Sequence, residues 1–455
     1  MQLSKNVDLG KDPIRKLFFA LAVPSVTSQI VNVLYNMVDR MYIGRIPMIG
    51  KNALTGVGVA FPIIMIITAF AALTGMGGAP RASIMIGKGD KEEANKILGN
   101  CFIATIVTAI ALTTVTILYC EPLLMLFGAS ENTIQYSLSY MKTYALGTIF
   151  VQLTLGMNAF IAAQGYSKTS MMTVLIGAIT NIILDPILIY GLNLGVKGAA
   201  IATIISQAVS TTYVIMFLRS KKSTLRLNPK YFKVESKVLF PAIALGVAPF
   251  IMQSTESILV LCFNSSLLKF GGDIAVGAMT IISSVMQFSM LPLQGLTQGA
   301  QPIMSYNYGA GNIDRVKKTF KLLLKVCFGY AFTMWALCMV TPQLFARIFT
   351  TDVELIEYTI WSLRVYMGCV FMMGIQIACQ QSFIALGNAK ISTFLALLRK
   401  IFLLLPLIFI LPMFIEHKVF AVFLAEPIAD FISVTTTVIL FTIFFKDIEN
   451  NRIHA

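Results

Sequence analysis

Charge is scarce in this sequence. Asp, Glu, Lys and Arg supply 12 % of its 455 residues, and hydrophobic residues supply 57 %; a soluble domain usually carries about 25 % charged residues. Water cannot be the only solvent of such a chain. Histidine is scarcer still, with only His417 and His454. No HExxH, GKS/T or GxSxG motif occurs, which removes most zinc, nucleotide and triad chemistry. The seven cysteines (Cys101, Cys120, Cys262, Cys327, Cys338, Cys369 and Cys379) are odd in number, lack metal-ligand spacing and fall mostly in apolar runs. They read as packing residues.

What the sequence does have is a succession of apolar runs, each long enough to cross a hydrocarbon core of roughly 30 Å at about 1.5 Å per residue. In lipid such runs must be helices, because a spanning segment has to satisfy its own backbone hydrogen bonds. An outer-membrane barrel is excluded, since its strands alternate apolar and polar residues in short segments. Spans are expected near 14–42, 53–82, 95–120, 134–160, 169–190, 197–218, 238–266, 275–304, 318–341, 357–386, 391–413 and 419–445. The first is read as a retained span rather than a signal peptide: Lys5 to Lys16 leads into a run containing Gln29, Asn32, Asn36 and Asp39, with no small-residue cleavage site.

The two halves resemble each other. Gly77, Pro80 and Gly89-Asp90, followed by a basic helix start, return about 222 residues later as Gly299, Pro302, Gly311-Asn312 and another basic helix start. Phe160-Ile161-Ala162, Gly165 and Lys168 return as Phe383-Ile384-Ala385, Gly387 and Lys390. The polar stretch from Arg219 to Lys237, with Asn228-Pro229 inside it, divides the copies. The expected fold is all-α and integral to the membrane: twelve transmembrane helices in two six-helix bundles, related by a pseudo-two-fold axis along the membrane normal because each repeat has an even number of spans. Residues 1–220 form the N-terminal lobe, 221–237 a cytoplasmic linker and 238–455 the C-terminal lobe.

The formal charge of +14 is explained by its distribution. Basic residues crowd alternate loops: Lys88, Lys91 and Lys96; Arg219, Lys221, Lys222, Arg226, Lys230, Lys233 and Lys237; Arg315, Lys317, Lys318, Lys321 and Lys325. The intervening loops hold few: Arg45, Lys51, Lys197, Lys269, Arg347 and Lys418. This positive-inside asymmetry predicts a multi-pass protein of the cell (cytoplasmic, inner) membrane with both termini cytoplasmic, and it leaves no need for a nucleic-acid partner.

A charge at the bilayer centre costs roughly 2.5 to 3.5 kcal/mol on insertion scales, so acids kept there need an explanation. Gln29, Asn32, Asn36 and Asp39 are spaced by three and four and share one helical face. Asp185 has Asn181 one turn before it and Pro186 after it, and Thr203 on the next span is placed to face the pair. One reading is a hydrogen-bond network tying helices together. The other is an ion site: the oxygens of two carboxylates, Asn and Thr suit Na⁺, and crowding of the carboxyls suits H⁺. No other metal is implied.

Tyr35-Asn36-Met37-Val38-Asp39 with Pro24 upstream, Asn181-Ile182-Ile183-Leu184-Asp185-Pro186 and Gly198-Ala199-Ala200-Ile201-Ala202-Thr203 together resemble the multidrug and toxic compound extrusion (MATE) family, and within it a bacterial branch that includes a staphylococcal exporter. The resemblance covers essentially the whole chain. It implies antiport: export of amphipathic, often cationic drugs in exchange for H⁺ or Na⁺, with the bilayer as the only other obligatory partner and no cofactor beyond the coupling ion. By carry-over it places the cation site at Asp39, Asn181, Asp185 and Thr203, and Asn36, on the helical face of Asp39, is counted with them. It also matches Glu256 to an acid that several members keep in span seven, while the acid others have in span ten is missing from Gly374-Ile375-Gln376.

The remaining polar and soft residues suggest a substrate cavity: Gln29, Asn32, Tyr35, Gln253, Met286, Met290, Gln294, Met372, Met373 and Gln376, with carboxylates and aromatic faces favouring cations. Hydrogen bonding between helices is the alternative for the glutamines. Glu256 is read as unpaired. Arg399, Glu426 and Asp430 read as a buried structural ion pair, and Lys400 as snorkelling. Pro24 breaks the helix hydrogen bonding on one side of Asp39 and is a candidate hinge. A lipid-linked glycan flippase is the rival function, disfavoured by few intramembrane cations beyond Lys142, Arg364, Arg399 and Lys400. A membrane enzyme lacks a catalytic constellation.

Overall fold

A computed structural model describes residues 7–451, and every regular element among them is helical. Lys5 and His454 lie outside the described residues. Among the described residues nine helices are long and apolar enough to cross a bilayer, and two bent pairs raise the number to eleven. The longest, Ser236–Gly309, is broken at Gly272, whose φ of 67° and ψ of −162° belong to a backbone region only glycine occupies freely. It therefore holds two spans, which makes twelve among the described residues.

In order these are Ile14–Gly44, Gly50–Lys88, Lys91–Leu118, the pair Ile134–Leu146 and Thr148–Ala163, Ser167–Gly191, Gly195–Arg219, the two arms of Ser236–Gly309, Ile313–Val340, the pair Val353–Tyr366 and Val370–Ala385, Ala389–Phe414, and Lys418–Asn451. They are called spans 1 to 12. Spans 4 and 10 bend by 57° and 46°, where hydropathy alone reads each as one continuous span. A short helix precedes each bent span, Cys120–Leu126 in the first half and Pro342–Phe349 in the second.

The repeated punctuation has a backbone cause. Gly89, Gly165, Gly311 and Gly387 all end helices with φ between 73° and 87°, the left-handed turn that closes a helix without strain only at glycine. Asp90 and Asn388 then cap the helices that follow, accepting from the backbone N–H of Glu93 at 2.9 Å and of Ile391 at 3.1 Å.

The two six-helix bundles meet at the end of the molecule that carries the basic loops. There each bundle lends a helix to the other's core. Leu17, Phe18, Leu21 and Ala22 of span 1 pack with residues of spans 8, 9 and 10, while Val238 and Ala242 of span 7 enter the core of spans 2, 3, 4 and 6. Glycines bring the backbones together: a Cβ on Gly77 would lie 2.0 Å from the Ala242 carbonyl oxygen, one on Gly246 2.1 Å from that of Leu73, and one on Gly299 2.4 Å from Ala22 Cα. Gly87 and Gly309 make comparable contacts with Tyr306 and Ile84. The segment before span 1 lies across this seam. Arg315 Nη2 donates to the carbonyls of Leu9 and Asp12 at 3.1 and 2.8 Å, and Asn307 Nδ2 donates to Leu9 at 2.8 Å.

The cross-bundle contacts named here, with Gln29 to Gln298 at 3.1 Å and the Phe70–Phe250 ring pair at 4.9 Å, fall in the halves of spans 1, 2, 7 and 8 nearest the basic loops. Asp39, near the far end of span 1, lies well beyond them.

Candidate cation site and cleft

Span 1 packs along span 5, and this brings two carboxyl groups together deep in the N-terminal bundle. Asp39 is 8 % exposed and Asp185 is fully buried, and the two lie within hydrogen-bonding reach of each other. Asn181 Nδ2 donates to Asp185 Oδ1 at 3.3 Å. Three further oxygens of the trio, Asp39 Oδ1, Asp185 Oδ2 and Asn181 Oδ1, are buried without a hydrogen-bond partner.

Local structure holds this geometry in place. Pro186 ends the regular helix immediately after Asp185, and the chain continues as a wider π turn, Ile187–Gly191, a form found preferentially at functional positions. Tyr190 in that turn donates its hydroxyl to the Tyr42 carbonyl at 2.6 Å, one turn beyond Asp39, and the two rings meet edge to face. Arg40, beside Asp39, sets its guanidinium over the Phe61 ring at 4.5 Å.

The polar stripe on span 1 divides. Gln29 belongs to the bundle seam, Asn32 is exposed, and Asn36 donates to the Asn32 carbonyl at 2.6 Å while also touching Tyr35. Thr203 is not turned straight onto the acids: it bonds the Ala199 carbonyl at 3.1 Å and lies beside Tyr140. Tyr140 is the residue that sequence reasoning missed. It is buried on span 4, close enough to Asp39 to feel its charge, and stacks on Tyr144 at 6.1 Å.

The C-terminal bundle carries a second set of charges. Arg399 donates through Nε to Asp430 Oδ1 at 2.7 Å and through Nη2 to Glu426 Oε1 at 2.8 Å. Sequence alone leaves Glu256 unpaired and sends Lys400 to the interface; both expectations fail. Lys400 is buried on a π segment, Leu398–Leu404, and its Nζ lies 2.6 Å from Glu256 Oε2. The wider turn aims Lys400 inward, which a regular 3.6-residue period would not reveal.

Of the cavity candidates, Met373 and Gln376 line a pocket beside this ion pair together with Met252 and Lys400. Gln253 reaches Met76 Sδ across the seam at 3.7 Å, and Gln294 is exposed. Met286 and Met290 instead pack against the core of the C-terminal bundle, where flexible thioethers fill gaps. Met372 is half-buried beside Met373.

Twelve spans in two like bundles, closed together at one end and holding buried carboxyls away from it, define a polytopic carrier of the membrane. The MatE family profile matches residues 24–187 and 248–410, one segment in each half. The chain belongs to that family, whose members are multidrug and toxic compound extrusion transporters rather than enzymes. It is 26 % identical over 401 residues to the multidrug export protein MepA of Staphylococcus haemolyticus, covering 88 % of this chain and 87 % of that one. Among solved structures, that of the MATE multidrug transporter DinF-BH, determined as a ligand complex, is 35 % identical, covers 97 % of this chain and 98 % of its own, and superposes with a TM-score of 0.88. An outward-facing MATE family transporter of the MOP superfamily gives a TM-score of 0.90 at 21 % identity, covering 98 % and 99 %.

Proposed function

We propose that this chain is a cation-coupled multidrug antiporter of the cell membrane, expelling amphipathic, often cationic compounds in exchange for H⁺ or Na⁺. The observation that carries the coupling is the Asp39–Asp185 pair. Two ionised carboxylates within hydrogen-bonding reach repel strongly in a low-dielectric interior, so the site is satisfied only when a proton or small cation lies between them. The three buried oxygens without partners are acceptors, which is what either ion requires.

Residues 1–220 and 238–455 act as the two moving lobes, joined by 221–237. With the basic loops and both termini in the cytoplasm, the glycine seam closes the cytoplasmic side and the described state opens outward. A cation arriving from outside loads Asp39 and Asp185, and coupling follows because it binds this state and the inward-open one with different affinity. Span 1 links the two events. It carries Asp39 beyond the seam and Pro24 within it, between Ala22 and Val26, which touch Gly299 and Gly295. Pro24 lacks the N–H that would bond the carbonyl four residues back, so span 1 can flex there.

The flippase reading is weaker on this geometry. Arg399 and Lys400 are engaged by carboxylates and Arg364 Nε by the Met339 carbonyl at 3.1 Å, which leaves little cationic surface for a pyrophosphate. The test of the antiport reading is dye efflux from proteoliposomes under separately imposed proton and sodium gradients. Asp39→Asn and Asp185→Asn each abolish efflux while the protein is still made and inserted; wild-type extrusion by either variant refutes the site.

A further inference from the structure

The Lys400–Glu256 pair is arranged the opposite way round from an ordinary surface ion pair. The lysine side chain is 9 % exposed and the glutamate side chain 60 %. Lysine is almost never buried unless a partner holds it, and here the partner stands on the open side. Glu256 is one turn from Gln253, which reaches Met76 of the other bundle, so this face of span 7 looks across the space between the bundles. One turn before Glu256, Met252 lines the same pocket as Gln376, Gln380 and Lys400.

Two acceptors on the pocket wall are unsatisfied. Gln376 Oε1 and Gln380 Oε1 are buried without partners, and Gln380 has already committed its amide nitrogen to Ser392 at 2.8 and 3.1 Å. Behind them Glu426 Oε2 and Asp430 Oδ2 are also unpartnered. The three carboxylates of this region, Glu256, Glu426 and Asp430, face two cationic groups, Arg399 and Lys400. Arg399 and Lys400 are the charged residues of the pocket wall, and carboxylates already engage both, Glu426 and Asp430 holding Arg399 and Glu256 holding Lys400. A protonated amine in the place of the Lys400 ammonium would give Glu256 its counter-charge and the bare carbonyl oxygens N–H groups, with Met252 and Met373 as a soft wall for its apolar body.

We propose that the C-terminal bundle holds an ammonium-binding site for the exported compound, that Lys400 fills it as a tethered cation, and that an organic ammonium ion binds by displacing Lys400 from Glu256. Lys400 is thereby a specificity-determining residue: it sets the affinity a cationic substrate must exceed. The inference rests on the export reading for its choice of ligand but not on coupling at Asp39 and Asp185.

The experiment is equilibrium binding to the purified full-length chain in detergent, with no gradient, so that failure of the coupling site cannot mimic failure of this one. The probes are a cationic rhodamine ester dye, whose delocalised positive charge is shared by two N–H-bearing alkylamino groups, and the uncharged fluorophore N-phenylnaphthylamine. Lys400→Met tightens binding of the rhodamine by about tenfold, since one like charge is removed from the site, and leaves the uncharged probe unchanged. Adding Glu256→Gln to Lys400→Met takes the gain away. Unchanged or weaker rhodamine binding in Lys400→Met, or equal tightening of both probes, overturns the proposal. Lys400→Gln serves in its place if the methionine variant does not elute as wild type.

Discussion

Replacing Gly77 with alanine adds one methyl group where two bundles touch backbone to backbone. The new Cβ would stand 2.0 Å from Ala242 O and 2.5 Å from Gly246 N, where ordinary contact begins at 3.4 Å. All the nearest atoms are main chain, so no rotamer change relieves the clash, and spans 2 and 7 must separate by about 1.4 Å. Overpacking of this kind costs typically 1–3 kcal/mol, and on the alternating-access reading it falls on one conformation only, because the cost disappears when the bundles part at this seam. The closed-seam state should therefore lose roughly 5- to 150-fold in population relative to its alternative. Spin labels at Lys91→Cys and Lys318→Cys, both at exposed positions beside the basic end, in a background without the native cysteines, report the separation by pulsed electron resonance. Gly77→Ala lengthens that distance and Gly299→Ala, the equivalent position in the second repeat, does the same. Gly58→Ala is the control, because its Cβ meets nothing within 4 Å on the same helix. If the distance distribution in Gly77→Ala matches wild type, the seam does not govern the equilibrium.

Arg399→Met leaves Glu426 and Asp430 facing each other without their shared cation, and truncating one member of a buried ion cluster costs about 3–5 kcal/mol; the melting temperature in detergent should fall, and Glu426→Gln on top should recover part of the loss. Pro24→Ala restores a donor to the middle of span 1 and stiffens it, which should change the pH or Na⁺ dependence of efflux. An unaltered dependence would mean that Pro24 is only a static feature of span 1.

The spans and the duplication were legible because each depends on local signals: a continuous apolar run, or a glycine whose backbone must turn left-handed at the end of a helix. Asp39 and Asp185 could be singled out for a different reason, since a carboxyl kept in an apolar helix is costly enough to demand a purpose. Their actual neighbours were harder to read. Tyr140 looks in sequence like any other aromatic of a membrane helix, and nothing in its spacing ties it to Thr203. Glu256 and Lys400 are 144 residues apart, and the π segment that aims Lys400 inward has no signature in hydrophobic periodicity. The exchange of spans 1 and 7 between the two cores is equally hidden, because apolar residues facing lipid, their own bundle or the other bundle read alike.

The two repeats have kept one architecture and taken opposite solutions to the same electrostatic problem. Each half buries acids among its inner helices. In the first half Arg40, beside Asp39, sets its guanidinium over the Phe61 ring instead of pairing with the carboxylate, and on the antiport reading Asp39 and Asp185 take a cation from solution. In the second, Arg399 and Lys400 bring the compensating charge on the chain itself. A mobile counter-ion can be gained and lost as the bundles move, whereas Arg399, locked between two carboxylates, cannot leave. Only Lys400, on a flexible stem and facing an exposed carboxylate, stands between these cases. On the antiport reading the first bundle is therefore suited to the ion that drives the cycle and the second to the compound being moved, with the contact between them at the seam obliging one to follow the other.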